Sequence, residues 1–277
     1  MRVVVTGAYG FLGSAVLSRL TETGFDCVGI SRREVPGLLR VARYADAPAG
    51  DVLIQLAEIN DRMRANLLST EYEQEASNTL HSLLEKGYEK VIYASSAVLY
   101  GDGICTPHVE TDPVSAIDTY TRVKLAAEHS VLSRGGLVVR FANVYGPRMA
   151  AGNVLSHILG QLDRGGMITL QDTTPVRDFL WVEDAADAVV KMVEAPNKGL
   201  FNVGTGIGTS ILELAKELLD KVDQTERLIV SMQSATKPSC IVLDVKKIAN
   251  ELHWQPSVPL YEGLQRLVSA YTEAKHT

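Results

Sequence analysis

Three glycines within the first thirteen residues constrain this chain more than anything that follows them. Val3-Val4-Val5 reads as an apolar strand and leads straight into Thr6-Gly7-Ala8-Tyr9-Gly10-Phe11-Leu12-Gly13. Glycine lets a backbone turn sharply and come close to a ligand, and a helix opened by such a turn directs unpaired N–H groups and its positive dipole end outward. That combination suits a pyrophosphate. The spacing is GxxGxxG rather than the commoner GxGxxG, and glycine turns also serve plain packing, so the context carries weight. Here the run follows a strand, opens an amphipathic segment (Leu12, Val16, Leu17, Leu20), and reaches a second strand at 27–30 after Gly24.

Short apolar, β-type runs recur at 3–5, 27–30, 52–56, 91–94, 137–141, 168–170 and 200–203, with helix-period segments between most of them. This alternation predicts an α/β chain: a doubly wound parallel sheet with helices on both faces. The 277 residues suffice for one large domain with a smaller one. One connection is short. About twenty residues separate Ile30 from Asp51, where a parallel crossover needs a dozen or more, so an irregular strand at 39–44 is expected in place of a full helix.

A net charge of −6 gives no whole-chain argument for binding nucleic acid or an anionic membrane. An anionic ligand must then be held by local arginines. Met1 leads directly into the first strand and no apolar run is long enough to span a bilayer, so a cytoplasmic protein is expected. Cys27, Cys105 and Cys240 lie far apart without a CxxC pair, and the six histidines lack HExxH spacing. Neither a disulfide framework nor a metal site is suggested.

The strand expected at 90–95 ends in Ser95-Ser96-Ala97-Val98-Leu99-Tyr100-Gly101. Serines at the carboxyl end of a parallel strand face the crevice where such sheets take ligands. Farther on, Tyr120 and Lys124 lie four apart in a helix expected over 117–133, and therefore on one face. A free tyrosine titrates near pH ~10, and a fixed ammonium close by favours the phenolate, bringing proton exchange within reach at neutral pH. A plainer reading makes Tyr120 a core aromatic and pairs Lys124 with Glu128, one turn on, for about 0.3 kcal/mol.

Taken together, Gly7, Gly10 and Gly13, the Ser-Ser-Ala-Val-Leu-Tyr-Gly string and Tyr120-x-x-x-Lys124 resemble the extended short-chain dehydrogenase/reductases, the nucleotide-sugar epimerase, dehydratase and reductase group. The resemblance continues in order along the chain. Arg140 to Arg148 looks like an RxxNxYGPR segment, and Arg177-Asp178-Phe179-Leu180-Trp181-Val182-Glu183-Asp184 like RDFxxVxD. Phe201-Asn202-Val203-Gly204-Thr205-Gly206 looks like the NVGTG turn, and Leu252-His253-Trp254-Gln255-Pro256 with Glu262-Gly263-Leu264 like the C-terminal LxWxP and EGL.

The resemblance implies a Rossmann domain from residues 1–140 plus 178–204 and a smaller substrate-binding cap from 141–177 plus 205–277. It implies Ser96, Tyr120 and Lys124 as the catalytic triad. Tyr120 would exchange a proton with a sugar hydroxyl or keto oxygen, Ser96 would hydrogen-bond that oxygen, and Lys124 would bind the nicotinamide ribose. Cofactor contacts fall on Gly7, Gly10, Phe11, Leu12, Gly13, Ser31, Arg32, Arg33, Ala57, Tyr120, Lys124 and Phe141, with Asp46 a guess for the adenine side. Substrate contacts fall on Ser96, Val98, Tyr120, Asn143 and Arg177, with Arg148 a weaker candidate. Lys237 stands where the family often has a diphosphate-gripping arginine. The family's HLAA stands here as Gln55-Leu56-Ala57-Glu58, in which Ala57 still permits close approach to the cofactor. A homodimer pairing the helices around 67–84 and 117–133 across a twofold axis is also implied.

Two departures narrow the reaction. The dehydratases of the group place Asp-Glu after the hydroxyl residue, whereas this chain has Ala97-Val98, so elimination of water is set aside. After the second strand the chain reads Ser31-Arg32-Arg33, without the carboxylate that bonds a ribose 2′-hydroxyl. Guanidinium groups suit a 2′-phosphate. NADP(H) is therefore favoured, with NAD(H) as the alternative, and reduction of a keto sugar on a nucleotide diphosphate edges ahead of 4-epimerisation. A non-catalytic dinucleotide sensor on the same fold is the third reading.

Overall fold

Strand β1 (Arg2–Thr6) and helix α1 (Phe11–Glu22) begin an α/β layer that continues through β2 (Asp26–Ser31), β3 (Leu39–Arg40), β4 (Val52–Gln55), α2 (Arg62–Leu84), β5 (Lys90–Ser96), α3 (Thr119–Leu132) and β6 (Leu137–Phe141). The computed structural model describes residues 1–103, 105–233 and 238–276. After β6 the chain departs through β7 (Asn143–Tyr145), α4 (Val154–Leu159), β8 (Ile168–Leu170) and β9 (Val176–Trp181). It returns with α5 (Val182–Glu194) and β10 (Gly199–Val203). It closes with β11 (Gly208–Ser210), α6 (Ile211–Asp220), β12 (Ile229–Ser231), β13 (Cys240–Ile241), α7 (Lys246–Leu252) and α8 (Leu260–His276).

Seven strands pair in parallel in the order β10-β6-β5-β4-β1-β2-β3. Alternate side chains serve the two faces, as the strand period requires. Val3, Val5, Ile54, Ile92 and Val139 pack with α1 and α5, while Val4, Leu53, Tyr93 and Val138 pack with α2 and α3. Both faces are covered, and the strands are accordingly apolar almost throughout. The winding reverses between β1 and β4: β2 and β3 extend the sheet on one side, and β4 to β10 on the other. A doubly wound sheet opens its ligand crevice at such a switch point, beyond the carboxyl ends of the strands.

The short connection after β2 is built without a helix. Leu39 and Arg40 pair with Ile30 and Ser31 as a two-residue edge strand, and one 3₁₀ turn at Tyr44–Asp46 follows. Helix α2 starts at Arg62 and bends at Ser69, whose φ of 48° and ψ of −131° lie outside the helical region.

The remaining strands form a separate layer. Strand β9 pairs with β7, β11 and β13, and β8 pairs with β12. Tyr145, Leu155, Ile158, Phe179, Trp181, Leu214, Leu218 and Leu264 make its core. Gly263 is required by close packing there, since a Cβ on it would fall 2.0 Å from the Tyr145 hydroxyl. The run at 168–170, expected as one of the repeated strands of the main sheet, instead lies in the two-stranded β8–β12 ribbon. We propose the division into a dinucleotide-binding layer and a cap, with the seam after Trp181 in place of 178, because every β-partner of β9 is a cap strand.

Two buried aspartates hold the cap, one from within it and one from the sheet layer. Asp178 accepts hydrogen bonds from Thr205 N (2.9 Å), Thr205 Oγ1 (2.7 Å) and Gly206 N (3.0 Å). Asp184 accepts from Ser257 N (3.0 Å), Ser257 Oγ (2.6 Å) and Val258 N (2.9 Å). Burial pushes the Asp178 carboxyl above its usual range, against the pull of those donors.

Candidate active site

The first glycine turn is shaped by contact. Gly7 sits at φ +70°, and a Cβ there would meet Ala57 N and the Leu56 carbonyl at 3.0 Å. A Cβ on Gly13 would lie 2.1 Å from the Gly7 carbonyl oxygen, and one on Gly10 3.0 Å from it. Gly10 is the N-cap of α1 and has no side-chain capping bond, and the first helical turn carries no acidic residue. Its N–H groups and positive dipole end are thus left for an anion. These glycines fit a dinucleotide pyrophosphate: the backbone is bare where the ligand must approach. Thr6 pins the turn to the neighbouring strand, donating to Gln55 Oε1 (2.6 Å) and accepting from Leu56 N (3.2 Å).

The expected cofactor residues converge on this edge. Phe11 and Leu12 form the first turn of α1, Ala57 lies against Gly7, and buried Phe141 ends β6. Ser31 is buried and its Oγ accepts from Arg33 N (3.0 Å). Arg32 lies over the Tyr44 ring (5.2 Å) and Arg33 over the Tyr9 ring (5.6 Å), both at the end of β2. Arg32 also approaches Glu75 at 3.9 Å. Asp46 is engaged by Arg43 (2.8 Å).

Ser95 and Ser96, adjacent in sequence, do different things. Ser95 Oγ is buried and donates to Glu128 Oε1 (2.5 Å). Ser96 ends β5, and its Oγ accepts from Val98 N (3.3 Å) as the cap of the 3₁₀ turn Ala97–Tyr100. Alternation along the strand thus leaves the second serine on the other side from the buried ion pair.

Helix α3 is capped by Asp118, which accepts from Thr121 N (2.9 Å), and Asn66 of α2 accepts from Tyr120 N (3.1 Å). These bonds fix the turn that carries Tyr120. Its ring is 8% exposed and packs with Ala65, Tyr72 and Val123. Lys124 Nζ lies 5.9 Å from the centre of that ring and 5.0 Å from the Tyr93 ring. It donates to the Ala94 carbonyl (2.7 Å) and makes an ion pair with Glu58 Oε2 at 2.8 Å. Tyr93 donates to the same Glu58 oxygen (2.7 Å). Burial pulls the lysine's proton affinity down, but Glu58 and then Tyr120 outweigh it, holding Lys124 above the usual lysine value. Burial and Glu58 push Tyr93 well up, and they raise Tyr72 to about 12.

The surface pair between Lys124 and Glu128 does not form. Glu128 is buried and binds Arg140 through Nε (2.9 Å) and Nη2 (2.6 Å). Sequence reading missed Glu58 as a site residue. Its signal was a carboxylate in the Gln-Leu-Ala-Glu string, directly after the small residue that lies against the glycine turn.

On the substrate side, Val98 lies in the turn after Ser96, and exposed Asn143 starts β7. Arg177 is engaged elsewhere: Nη1 donates to Val176 O (2.8 Å) and Ser239 O (3.0 Å), and Nη2 to Ser239 Oγ (2.7 Å). Its sequence neighbour Asp178 is not among its contacts; the nearer carboxylate is Asp102 at 3.9 Å. Arg148 is exposed at φ +67°. Lys237 lies outside the described residues. A cleft of about 490 Å³ between α4 and β8, lined by His157, Gln161, Thr169, Gln171 and Met232, holds none of the triad residues. No helix among the described residues is long and apolar enough to cross a membrane.

The model of the NAD dependent epimerase/dehydratase family matches residues 3–204, which include the glycine turn, Ser96 and the Tyr120–Lys124 pair. The chain belongs to this family. Its members similar to this chain include UDP-glucuronic acid decarboxylase 1 of Arabidopsis thaliana, 28% identical over 311 residues, covering 98% of this chain and 70% of the relative. Among solved structures, the UDP-glucose 4-epimerase of Thermotoga maritima, determined with UDP-glucose, superposes with a TM-score of 0.88 at 24% identity, covering 99% of this chain and all of that one. RMD of Pseudomonas aeruginosa, complexed with NADPH, gives 0.86 at 23% identity and covers 99% of each chain. This family member is an enzyme of the extended short-chain dehydrogenase/reductase group, with the Rossmann architecture those structures share.

Proposed function

We propose that the enzyme reduces a keto group of a nucleotide-linked sugar, of the 4-keto-6-deoxyhexose type, with Tyr120 as the acid. The observation that carries this reading is the placement of Lys124. Its ammonium is fixed to the Ala94 carbonyl, two residues before Ser96, and to Glu58, one residue beyond the peptide that touches Gly7. A chain of contacts therefore links the glycine turn to the tyrosine, as proton transfer beside a dinucleotide requires.

Gly7, Gly10 and Gly13 with the N-terminus of α1 would hold the pyrophosphate, and Phe11, Leu12, Ala57 and Phe141 would flank the cofactor. A bound nicotinamide supplies hydride chemistry at carbon. The protein's own part is to hold the sugar oxygen between Ser96 Oγ and the Tyr120 hydroxyl, to donate the Tyr120 proton to that oxygen, and to steady the charge that results with Lys124. Asn143 and Arg177 are proposed for the nucleotide sugar. Arg177 must first exchange its Ser239 contacts to reach it.

Arg32 and Arg33 at the end of β2 support NADP(H), since two guanidinium groups there match a 2′-phosphate better than a bare hydroxyl. The likeness to UDP-glucose 4-epimerases supports a second reading, 4-epimerisation with retained NAD. Cofactor content separates the two. Purified protein that arrives empty and binds NADPH over NADH supports the reductase, and protein that carries tightly held NAD supports the epimerase. A homodimer through α2 and α3 is proposed as well, on the exposed Met63 and Leu67 of α2 and Ile117 just before α3, with light scattering as its check.

Tyr120→Phe tests the core of the proposal. It should lower kcat by about 10²- to 10⁴-fold while leaving the cofactor Kd near wild type. Turnover close to wild type in that variant overturns the assignment.

A further inference from the structure

Glu58 occupies an unusual place. Its side chain is only 7% exposed and that of its partner Lys124 only 9%. A carboxylate taken from water costs several kcal/mol unless it is paired and hydrogen-bonded, and burying such a pair is weak evidence for stability as such. The groups that face it come from every element around it: Tyr72 of α2, Tyr93 of β5, and Tyr120 and Lys124 of α3. Three tyrosines, one lysine and one carboxylate therefore form a single electrostatic unit. The Tyr72 hydroxyl oxygen accepts from Ile59 N (3.0 Å), one residue beyond Glu58. Among the described residues, Lys124 and Tyr93 are the side chains that bond to the Glu58 carboxylate.

An unopposed ammonium beside Tyr120 would favour its phenolate, the form that takes a proton from a hydroxyl. With Glu58 Oε2 at 2.8 Å the ammonium is instead matched by a negative charge. Lys124 has three N–H donors, of which Glu58 and Ala94 take two, leaving one for a ligand hydroxyl.

We propose that Glu58 is a positioning residue for the Tyr120–Lys124 pair: by countering the charge of the Lys124 ammonium it favours the protonated form of Tyr120, the donor to a keto oxygen. This rests on the reading of Tyr120 as the acid in the proposed function. It sets the direction in which the pair is prepared to work, delivery of a proton rather than its removal.

The test is Glu58→Gln, with Glu58→Asp as the control that keeps the charge. In keto-sugar reduction the rate falls on the alkaline side as the acid loses its proton. For Glu58→Gln the midpoint of that limb in kcat/KM should move down by about one pH unit, because the ammonium is no longer countered. Glu58→Asp should restore the limb to near its wild-type position. A structural role would lower the amplitude of the profile without moving its midpoint. An unchanged midpoint in Glu58→Gln overturns the proposal. If the wild-type enzyme reduces no keto sugar, the functional reading fails separately, and the proposal on Glu58 is then read from tyrosinate ultraviolet absorbance. The difference titration between Glu58→Gln and Glu58→Gln/Tyr120→Phe should place the Tyr120 contribution about one pH unit below the matching wild-type difference. Coincident curves overturn it.

Discussion

Helix α3 sends two charged side chains, one turn apart, into two buried ion pairs of different character. Glu128 meets Arg140 in a two-pronged arrangement and receives a third bond from Ser95, while the Arg140 guanidinium carbon lies 4.7 Å from the centre of the Tyr100 ring. Lys124 meets Glu58 through a single contact and keeps a donor in reserve. The first pair joins α3 to β5 and β6 below the crevice, and its planar fork suits a permanent joint. In the proposed function the second pair serves a ligand, a role suited to a point charge on a flexible stem. Burial alone therefore does not separate a structural ion pair from a functional one, and neither does a spare donor, since Arg140 Nη1 is also without a hydrogen-bond partner among the described residues; what the pair faces does.

That contrast can be broken by measurement. The largest expected effect on stability is at the lower pair. Glu128→Ala strands the Arg140 guanidinium and should cost about 3–5 kcal/mol, read from urea unfolding. Lys124→Met should instead cost about 1–3 kcal/mol, because Glu58 retains the Tyr93 hydrogen bond, yet lower turnover by about 10²-fold or more. Equal stability losses for the two would erase the distinction. The smallest effect is expected beside the upper pair, in α2. Ser69 holds a backbone conformation that suits glycine, one turn before Tyr72 joins the cluster around Lys124. Ser69→Gly should raise stability by about 1 kcal/mol in the same assay and leave kcat unchanged.

Much of this architecture was legible in the residues. The glycine run, the alternation of apolar strands with helical segments, and the four-residue spacing of Tyr120 and Lys124 are local patterns, and local patterns survive folding. The helix-free connection after β2 was visible as a shortage of residues. Partner choice was not. Helical spacing allowed Lys124 to pair with Glu128, but Glu128 is drawn to Arg140 of the next strand and Lys124 to Glu58 in the loop after β4, and both choices depend on elements outside the helix. Arg177 looked free for a diphosphate because nothing in Arg177-Asp178 announces Ser239, sixty-two residues later. The strand at 168–170 resembled the others because a three-residue apolar run carries no information about which sheet it joins.

Asp184 has a consequence for how the polypeptide can be shortened. It sits on α5, inside the layer that holds the seven parallel strands, yet all three of its hydrogen-bond donors come from Ser257 and Val258, beyond the last strand. A truncation that ended before Ser257 would leave every strand of that sheet in place and still strip a sequestered anion of its solvation. The final helix and its approach are thus a keystone, and a minimal cofactor-binding fragment of this enzyme has to carry them or give up the aspartate.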